Sequence, residues 1–75
     1  MLELFMLETC PYCRKVINFM NENNIEYVQR NITEVSNKNE LTKRGGKEQV
    51  PFIYDSENSK GLYESDDIIE YLKQL

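Results

Sequence analysis

Apolar residues fall along this chain in short clusters, and the spacing inside them changes from one cluster to the next. Residues 2 to 7, "LELFML", form an apolar run of strand length, short enough for a buried strand and closed by a turn-forming stretch. The period then lengthens. Cys13, Val16, Ile17 and Met20 stand at offsets 0, 3, 4 and 7, with Phe19 flanking them, and predict an amphipathic helix ended by "NENN" at 21 to 24. "IEYVQR", residues 25 to 30, carries the β-favouring Ile25, Tyr27 and Val28 and reads as a second strand, parallel to the first because a helix joins them. A more polar helix follows from Ser36 to Arg44, anchored by Leu41 and stopped by Gly45 and Gly46. "VPFIYD" (50 to 55) and "KGLYE" (60 to 64), separated by "DSENS", predict an antiparallel hairpin. The chain closes on "SDDIIEYLKQL", a helix with Ser65 as N-cap, Asp66 and Asp67 favoured by the helix dipole, and Ile68, Ile69, Leu72 and Leu75 facing inward.

Size and charge narrow the classes available to such a chain. Its 75 residues are one domain, 1–75, near the lower end of what folds alone, with no room for a large cavity. Nine Lys and Arg against thirteen Asp and Glu leave a net charge of −4, so a phosphate backbone meets a repulsive average field and nucleic acid is not the expected partner. The longest apolar run is "LFML", and no charged, hydrophobic and small-residue order marks a signal peptide. The expectation is a soluble, cytoplasmic protein without a membrane partner. No repeat, low-complexity tract or linker interrupts it.

Both cysteines of the chain lie in "LETCPYCRK", at positions 10 and 13. A disulfide between them closes too small a loop to stabilise much chain, so the pair points to chemistry before structure. Both fall where the first strand ends and the first helix begins. There, unpaired backbone N–H groups and the helix dipole favour a thiolate at Cys10, while Cys13 lies one turn further in, on the same side. Pro11 is preorganised for the first helical turn. Cys10 is then the nucleophile and Cys13 the resolving thiol. A metal site is open only if two chains share it, since zinc prefers four ligands and the sequence has no histidine and no further cysteine. The pair could also be two small core residues brought close by coincidence. Redox chemistry is favoured over both for a C-x-x-C beside a βαβ pattern.

"CPYC" at 10 to 13, "VP" at 50 and 51 opening a strand, and "ESDD" at 64 to 67 opening the last helix resemble a dithiol glutaredoxin. The tail "GGKEQVPFIYD" through "YESDDIIEYL" also resembles the N-terminal half of glutathione transferases. The resemblance implies an α/β thioredoxin fold, a four-stranded mixed sheet with three helices in the order β-α-β-α-β-β-α. It implies an enzyme, a thiol–disulfide oxidoreductase that reduces protein–glutathione mixed disulfides and protein disulfides, with glutathione as co-substrate, no tightly bound cofactor and no metal, acting as a monomer. Its partners are then glutathione and glutathionylated or disulfide-bonded proteins. A thioredoxin-like hydrogen donor served by a reductase protein, and a glutathione- or iron–sulfur-binding module, are the alternatives.

Carried over by position, the resemblance has Tyr12 flanking the thiol groove, Val50 offering its backbone to the cysteinyl part of glutathione, and Pro51 in the cis form beside the cysteines, with Gln49, Glu64, Ser65 and Asp66 completing the implied glutathione site. From sequence alone, Pro51 reads as a trans proline opening an edge strand. Ser65 and Asp66 are accounted for by an ordinary helix cap; the resemblance adds a γ-glutamyl site, with a carboxylate at the helix N-terminus and an ammonium paired by Glu64 or Asp66. The chain departs from the family in three places. Leu7 stands where glutaredoxins often carry lysine, Gln49 where threonine is usual, and Tyr63-Glu64 where a glycine pair is usual. Arg14, Lys43 and Lys47, together with the amide of Gln49, are the candidates to replace the missing charge.

Overall fold

The computed structural model describes residues 1–75. In chain order the elements are β1 (Leu2–Met6), α1 (Pro11–Glu22), β2 (Val28–Asn31), α2 (Val35–Gly45), β3 (Phe52–Asp55), β4 (Lys60–Tyr63) and α3 (Ser65–Lys73). The strands form one mixed sheet in the order β2-β1-β3-β4. β1 runs parallel to β2 and antiparallel to β3, and β3–β4 is the expected hairpin. This is the thioredoxin fold.

β1 is apolar at every position but Glu3 because both faces of the sheet are covered, and its side chains alternate between them. Leu4 and Met6 join Ile53 on one face, under α1 and α3; Cys13, Val16, Ile17, Met20, Ile68 and Leu72 close that core. The four α1 residues spaced at 0, 3, 4 and 7 are all buried, as their period requires. Phe5 and Phe52 point to the other face and form a smaller buried cluster with Leu41 of α2, flanked by the partly buried Ile32, Val50, Tyr54 and Tyr63. Burying a side chain of this size fully contributes roughly 1.5–3 kcal/mol, so the two faces are held unequally.

Polar groups supply what the thin side lacks. Glu3, 5% exposed, shares the α2 face with Phe5 and takes hydrogen bonds from Arg30 Nε of β2 at 2.9 Å and from the Arg44 guanidinium of α2. Burial pushes the Glu3 pKa up, and Arg44 and then Arg30 more than reverse this, leaving it below the ordinary glutamate value. The Arg44 guanidinium also lies 4.7 Å from the ring centroid of Tyr54. On the opposite face, Asp55 accepts hydrogen bonds from Tyr71 Oη at 2.6 Å, Asn58 Nδ2 at 2.8 Å and the Glu57 N–H at 3.0 Å, tying the hairpin turn to α3.

Several element ends differ from the sequence expectation, each for a local reason. The second strand begins at Val28 rather than Ile25, because α1 ends in a closed turn. Asn24 takes φ 53, its N–H bonds Asn21 O at 3.3 Å, and the Ile25 N–H bonds Met20 O at 2.9 Å. Those are the two hydrogen bonds of a Schellman motif, with asparagine in the left-handed position. Ile25 and Tyr27 still pack against the main core. The first strand stops at Met6, leaving Leu7 in the turn before Cys10, and β3 starts at Phe52, after Val50 and Pro51. Gly45 is the last residue of α2, and only Gly46 takes the left-handed cap, at φ 84. Ser65 is not the N-cap of α3: Glu64 is, at φ 66 and ψ 119, and Ser65 is the first helical residue. Leu75 does not face inward; it lies beyond α3 and is 64% exposed. No helix is long and apolar enough to cross a membrane.

Candidate active site

The segment between β1 and α1 delivers both cysteines to one end of the sheet. Cys10 occupies the N-cap of α1 with extended backbone (φ −84, ψ 114), fixed by its N–H to Leu7 O at 3.2 Å and by the Arg14 N–H to its own carbonyl at 3.0 Å. Its Sγ accepts a 3.2 Å hydrogen bond from the Cys13 N–H. Sulfur here takes the place of the hydroxyl or carboxylate oxygen that usually satisfies an open helix start. Pro11 follows at the first helical position. Cys10 is half-buried, whereas Cys13 is wholly enclosed in the core, and both are free thiols. Burial first, and then its hydrogen bond with Cys10, push the Cys13 thiol up to about 12, against a smaller opposing pull from the Leu7 backbone. One sulfur faces outward at a helix N-terminus, and the other waits protonated beneath it.

Beside this pair opens a cleft of about 350 Å³ lined by Tyr12, Gln49, Val50, Pro51, Glu64, Ser65 and Asp66. All seven residues singled out from the sequence for substrate binding meet there. They come from three places: Tyr12 from the first turn of α1, Gln49 to Pro51 from the loop before β3, and Glu64 to Asp66 from the β4–α3 junction. The Val50–Pro51 peptide is cis. Gln49 Nε2 donates to Glu64 Oε1 at 3.0 Å, bridging two of these walls. Tyr12 is 65% exposed, so its ring is open to a partner. Ser65 is buried at the floor of α3 and its side chain is not spent on capping.

The lining holds two carboxylates and no cation. Arg14, Lys43 and Lys47, the candidates to replace the missing lysine, are absent from it. Arg14 Nη2 turns to Glu8 O at 3.5 Å, and Lys47 Nζ lies 5.4 Å from the ring centroid of Tyr63. The cation that reaches the rim is Lys15, which pairs with Asp66 and joins α1 to α3. That contact spans 51 positions of sequence, and no local spacing announces it. Both partners are largely exposed, so the pair contributes about 0–1 kcal/mol.

A larger depression, about 860 Å³, opens at the opposite end of the sheet around Leu2, Ile25, Tyr27 and Asp55. It gathers none of the candidate site residues. Nowhere do three or more His, Cys, Asp or Glu side chains converge as metal ligands.

Among solved structures, a thioredoxin-like protein superposes with a TM-score of 0.84 at 21% identity, covering 99% of this chain and 97% of that one. Glutaredoxin 2 from Salmonella typhimurium, in complex with glutathione, is 25% identical with a TM-score of 0.80, covering 96% of this chain and 32% of that one. A glutathione S-transferase from the Antarctic clam Laternula elliptica is 26% identical with a TM-score of 0.79, covering 97% of this chain and 34% of that one. The chain thus spans about a third of those last two proteins and nearly all of the first. No curated protein sequence matches significantly. The family model for the glutathione S-transferase N-terminal domain matches residues 4–75, and to that family, within the thioredoxin fold, this chain belongs.

Proposed function

We propose that this chain is a glutathione-dependent thiol–disulfide oxidoreductase that reduces protein–glutathione mixed disulfides and protein disulfides, as a cytoplasmic monomer without a tightly bound cofactor. The observation that carries this reading is the arrangement of the two sulfurs: Cys10 Sγ half-buried at the helix N-terminus on the Cys13 N–H, and the Cys13 thiol fully buried and protonated below it.

The chemistry follows from that arrangement. The Cys10 thiolate attacks the glutathione sulfur of a mixed disulfide, forming Cys10–S–S–glutathione and releasing the target as a thiolate that takes a proton from water. A second glutathione thiolate attacks the glutathione sulfur of that adduct, giving glutathione disulfide and restoring the Cys10 thiolate. When the target is a protein disulfide, the mixed disulfide forms between Cys10 and the protein. Cys13 then loses its proton, attacks Cys10 Sγ and expels the protein thiol, leaving a Cys10–Cys13 disulfide that two glutathiones reduce. Once Cys10 is in a disulfide its negative charge is gone, and with it part of what holds the Cys13 proton in place. Resolution is thereby timed to follow attack.

The cleft supports glutathione as the reductant. Its volume lies within the range of small-molecule sites. The first N–H groups of α3 suit the γ-glutamyl carboxylate, Glu64 or Asp66 the ammonium, the Val50 backbone the cysteinyl unit, and Tyr12 the flank of the thiol. The test is turnover of a glutathionylated peptide with glutathione, glutathione reductase and NADPH. Steady turnover that disappears in Cys10→Ser is expected. No turnover with glutathione, together with reduction by a thioredoxin reductase, or a brown dimer on anaerobic iron–sulfur reconstitution, would overturn the reading.

A further inference from the structure

Tyr63 ends β4 one residue before the cleft-lining Glu64, and its hydroxyl makes an unusual pair of bonds. It donates to the Lys47 carbonyl at 3.0 Å and accepts from the Lys47 N–H at 3.1 Å. A single phenol thus satisfies both main-chain groups of one residue, as a neighbouring strand would. Lys47 sits in the short loop that leaves α2 through the left-handed Gly46 and leads to Gln49, Val50 and Pro51. Two residues on, Gln49 is bonded to Glu64, the residue after Tyr63. The loop wall of the cleft and the β4–α3 wall are therefore joined at two adjacent points.

The phenol is itself held firmly. Its ring stacks on Phe52 with centroids 4.6 Å apart, and Phe52 is fully buried. Gly45 makes room for it: a Cβ at position 45 would collide with Tyr63 Oη, fall 2.7 Å from its Cζ and lie 3.1 Å from Phe52 Cε1. Gly45 is helical, so space and not backbone freedom makes glycine necessary there.

We propose that Tyr63 is a positioning residue which, in the space left by Gly45, clamps the Lys47 backbone and so sets the wall carrying Gln49 and Val50 at the spacing the disulfide substrate needs. The functional half of this inference rests on the glutathione-dependent reading above; the clamp itself does not.

Tyr63→Phe keeps the ring and its stack on Phe52 and removes only the hydroxyl. The expected result is a KM for glutathionylated peptide raised about three- to ten-fold, the factor that one or two lost hydrogen bonds supports, with kcat within about two-fold and the rate of Cys10 alkylation by iodoacetamide unchanged. Gly45→Ala displaces the phenol from the other side and also presses on the ring and Phe52, so it should give at least the same rise, and the double variant should be no worse than Gly45→Ala alone. Amide hydrogen exchange supplies a reading that needs no substrate: the Lys47 amide should exchange faster in Tyr63→Phe by a similar factor. Unchanged exchange at Lys47 would overturn the clamp. Faster exchange with an unchanged KM, a fall in kcat alone, or additive effects in the double variant would overturn its role in positioning substrate. If the unaltered protein does not turn over the peptide at all, the proposed function fails while the clamp is still decided by exchange.

Discussion

Replacing Cys13 by serine separates the two halves of the proposed chemistry. Attack on a mixed disulfide needs one thiolate, so Cys13→Ser should retain most turnover of glutathionylated peptide, accumulate a Cys10–glutathione adduct visible by mass spectrometry, and lose reduction of protein disulfides. Cys10→Ser should lose both. In the unaltered protein, the degree to which Cys13 is held back can be worked out from its thiol, pushed up to about 12. At about pH 7.5 roughly three in 100,000 such groups are ionised, against about a tenth of ordinary thiols, a deficit on the order of 10³ to 10⁴. A more basic thiolate is intrinsically more nucleophilic, which returns a factor of about 30 to 60 and leaves a net deficit on the order of 10². Complete burial slows Cys13 further. Timed iodoacetamide labelling, read by peptide mass spectrometry, should therefore modify Cys10 well ahead of Cys13, and the Cys13 rate should still be climbing above about pH 10. Labelling of Cys13 first, or mixed-disulfide activity surviving in Cys10→Ser, would show that the nucleophile is the wrong sulfur.

Combining Glu64→Gln with Ser65→Ala should lower kcat/KM for glutathione at least about ten-fold and that for dithiothreitol by no more than about two-fold, since only glutathione carries a γ-glutamyl end. Neither side chain caps α3, so equal losses with both reductants would point to a general distortion of the cleft and not to lost recognition. Glu3→Gln strips the charge from a carboxylate shared by Arg30 and Arg44. Because both guanidiniums are about a third exposed, the cost should be near 2 kcal/mol at neutral pH, or roughly 10–15 °C in Tm for a chain this short. A depressed carboxylate pKa stabilises the fold above its ordinary value and loses that contribution as pH falls through the folded-state value, so the two proteins should converge in Tm well below about pH 4. An undiminished gap at about pH 3 would refute the shared-carboxylate reading.

The parts legible in the sequence are those written at short range. Cys13, Val16, Ile17 and Met20 follow helical spacing, and all four are buried. The cysteines sit at a strand-to-helix junction, and the structure puts Cys10 at the N-cap. The gathering of Tyr12, Gln49 and Ser65 into one cleft came from family resemblance, since no periodicity relates positions so far apart. What stays hidden is written at long range. Glu3 reads as a charge interrupting a strand until Arg44, 41 residues away, is seen to meet it. Tyr63 reads as a strand residue, and Gly45 as a helix stop, until they are found against each other across the loop. The N-cap of α3 departs from expectation for another reason. Serine is the better capping residue by type, but here Glu64 takes the non-helical cap position, at φ 66, where its carboxylate reaches Gln49.

The uneven division of the core between the two faces of the sheet has a consequence for how the molecule opens. α1 and α3 are secured by a shared nine-residue core, so freeing either exposes much apolar surface and approaches global unfolding. α2 buries Leu41 alone and is otherwise held by polar contacts, Arg44 to Glu3, Asn37 to the Asn31 carbonyl and Lys38 to Glu48, and by the close seat of Gly45. It is thus the segment whose detachment costs least, a sub-global opening that leaves the sheet and both cysteines in place. The loop with Gln49 and Val50 leaves its C-terminal end and is pinned to β4 and α3 through Tyr63 and Glu64, so one half of the cleft rests on the main core and the other borders this lightly held helix. A ligand bridging those halves would draw part of its binding free energy from quieting α2, and its affinity would report on the stability of a helix it never touches.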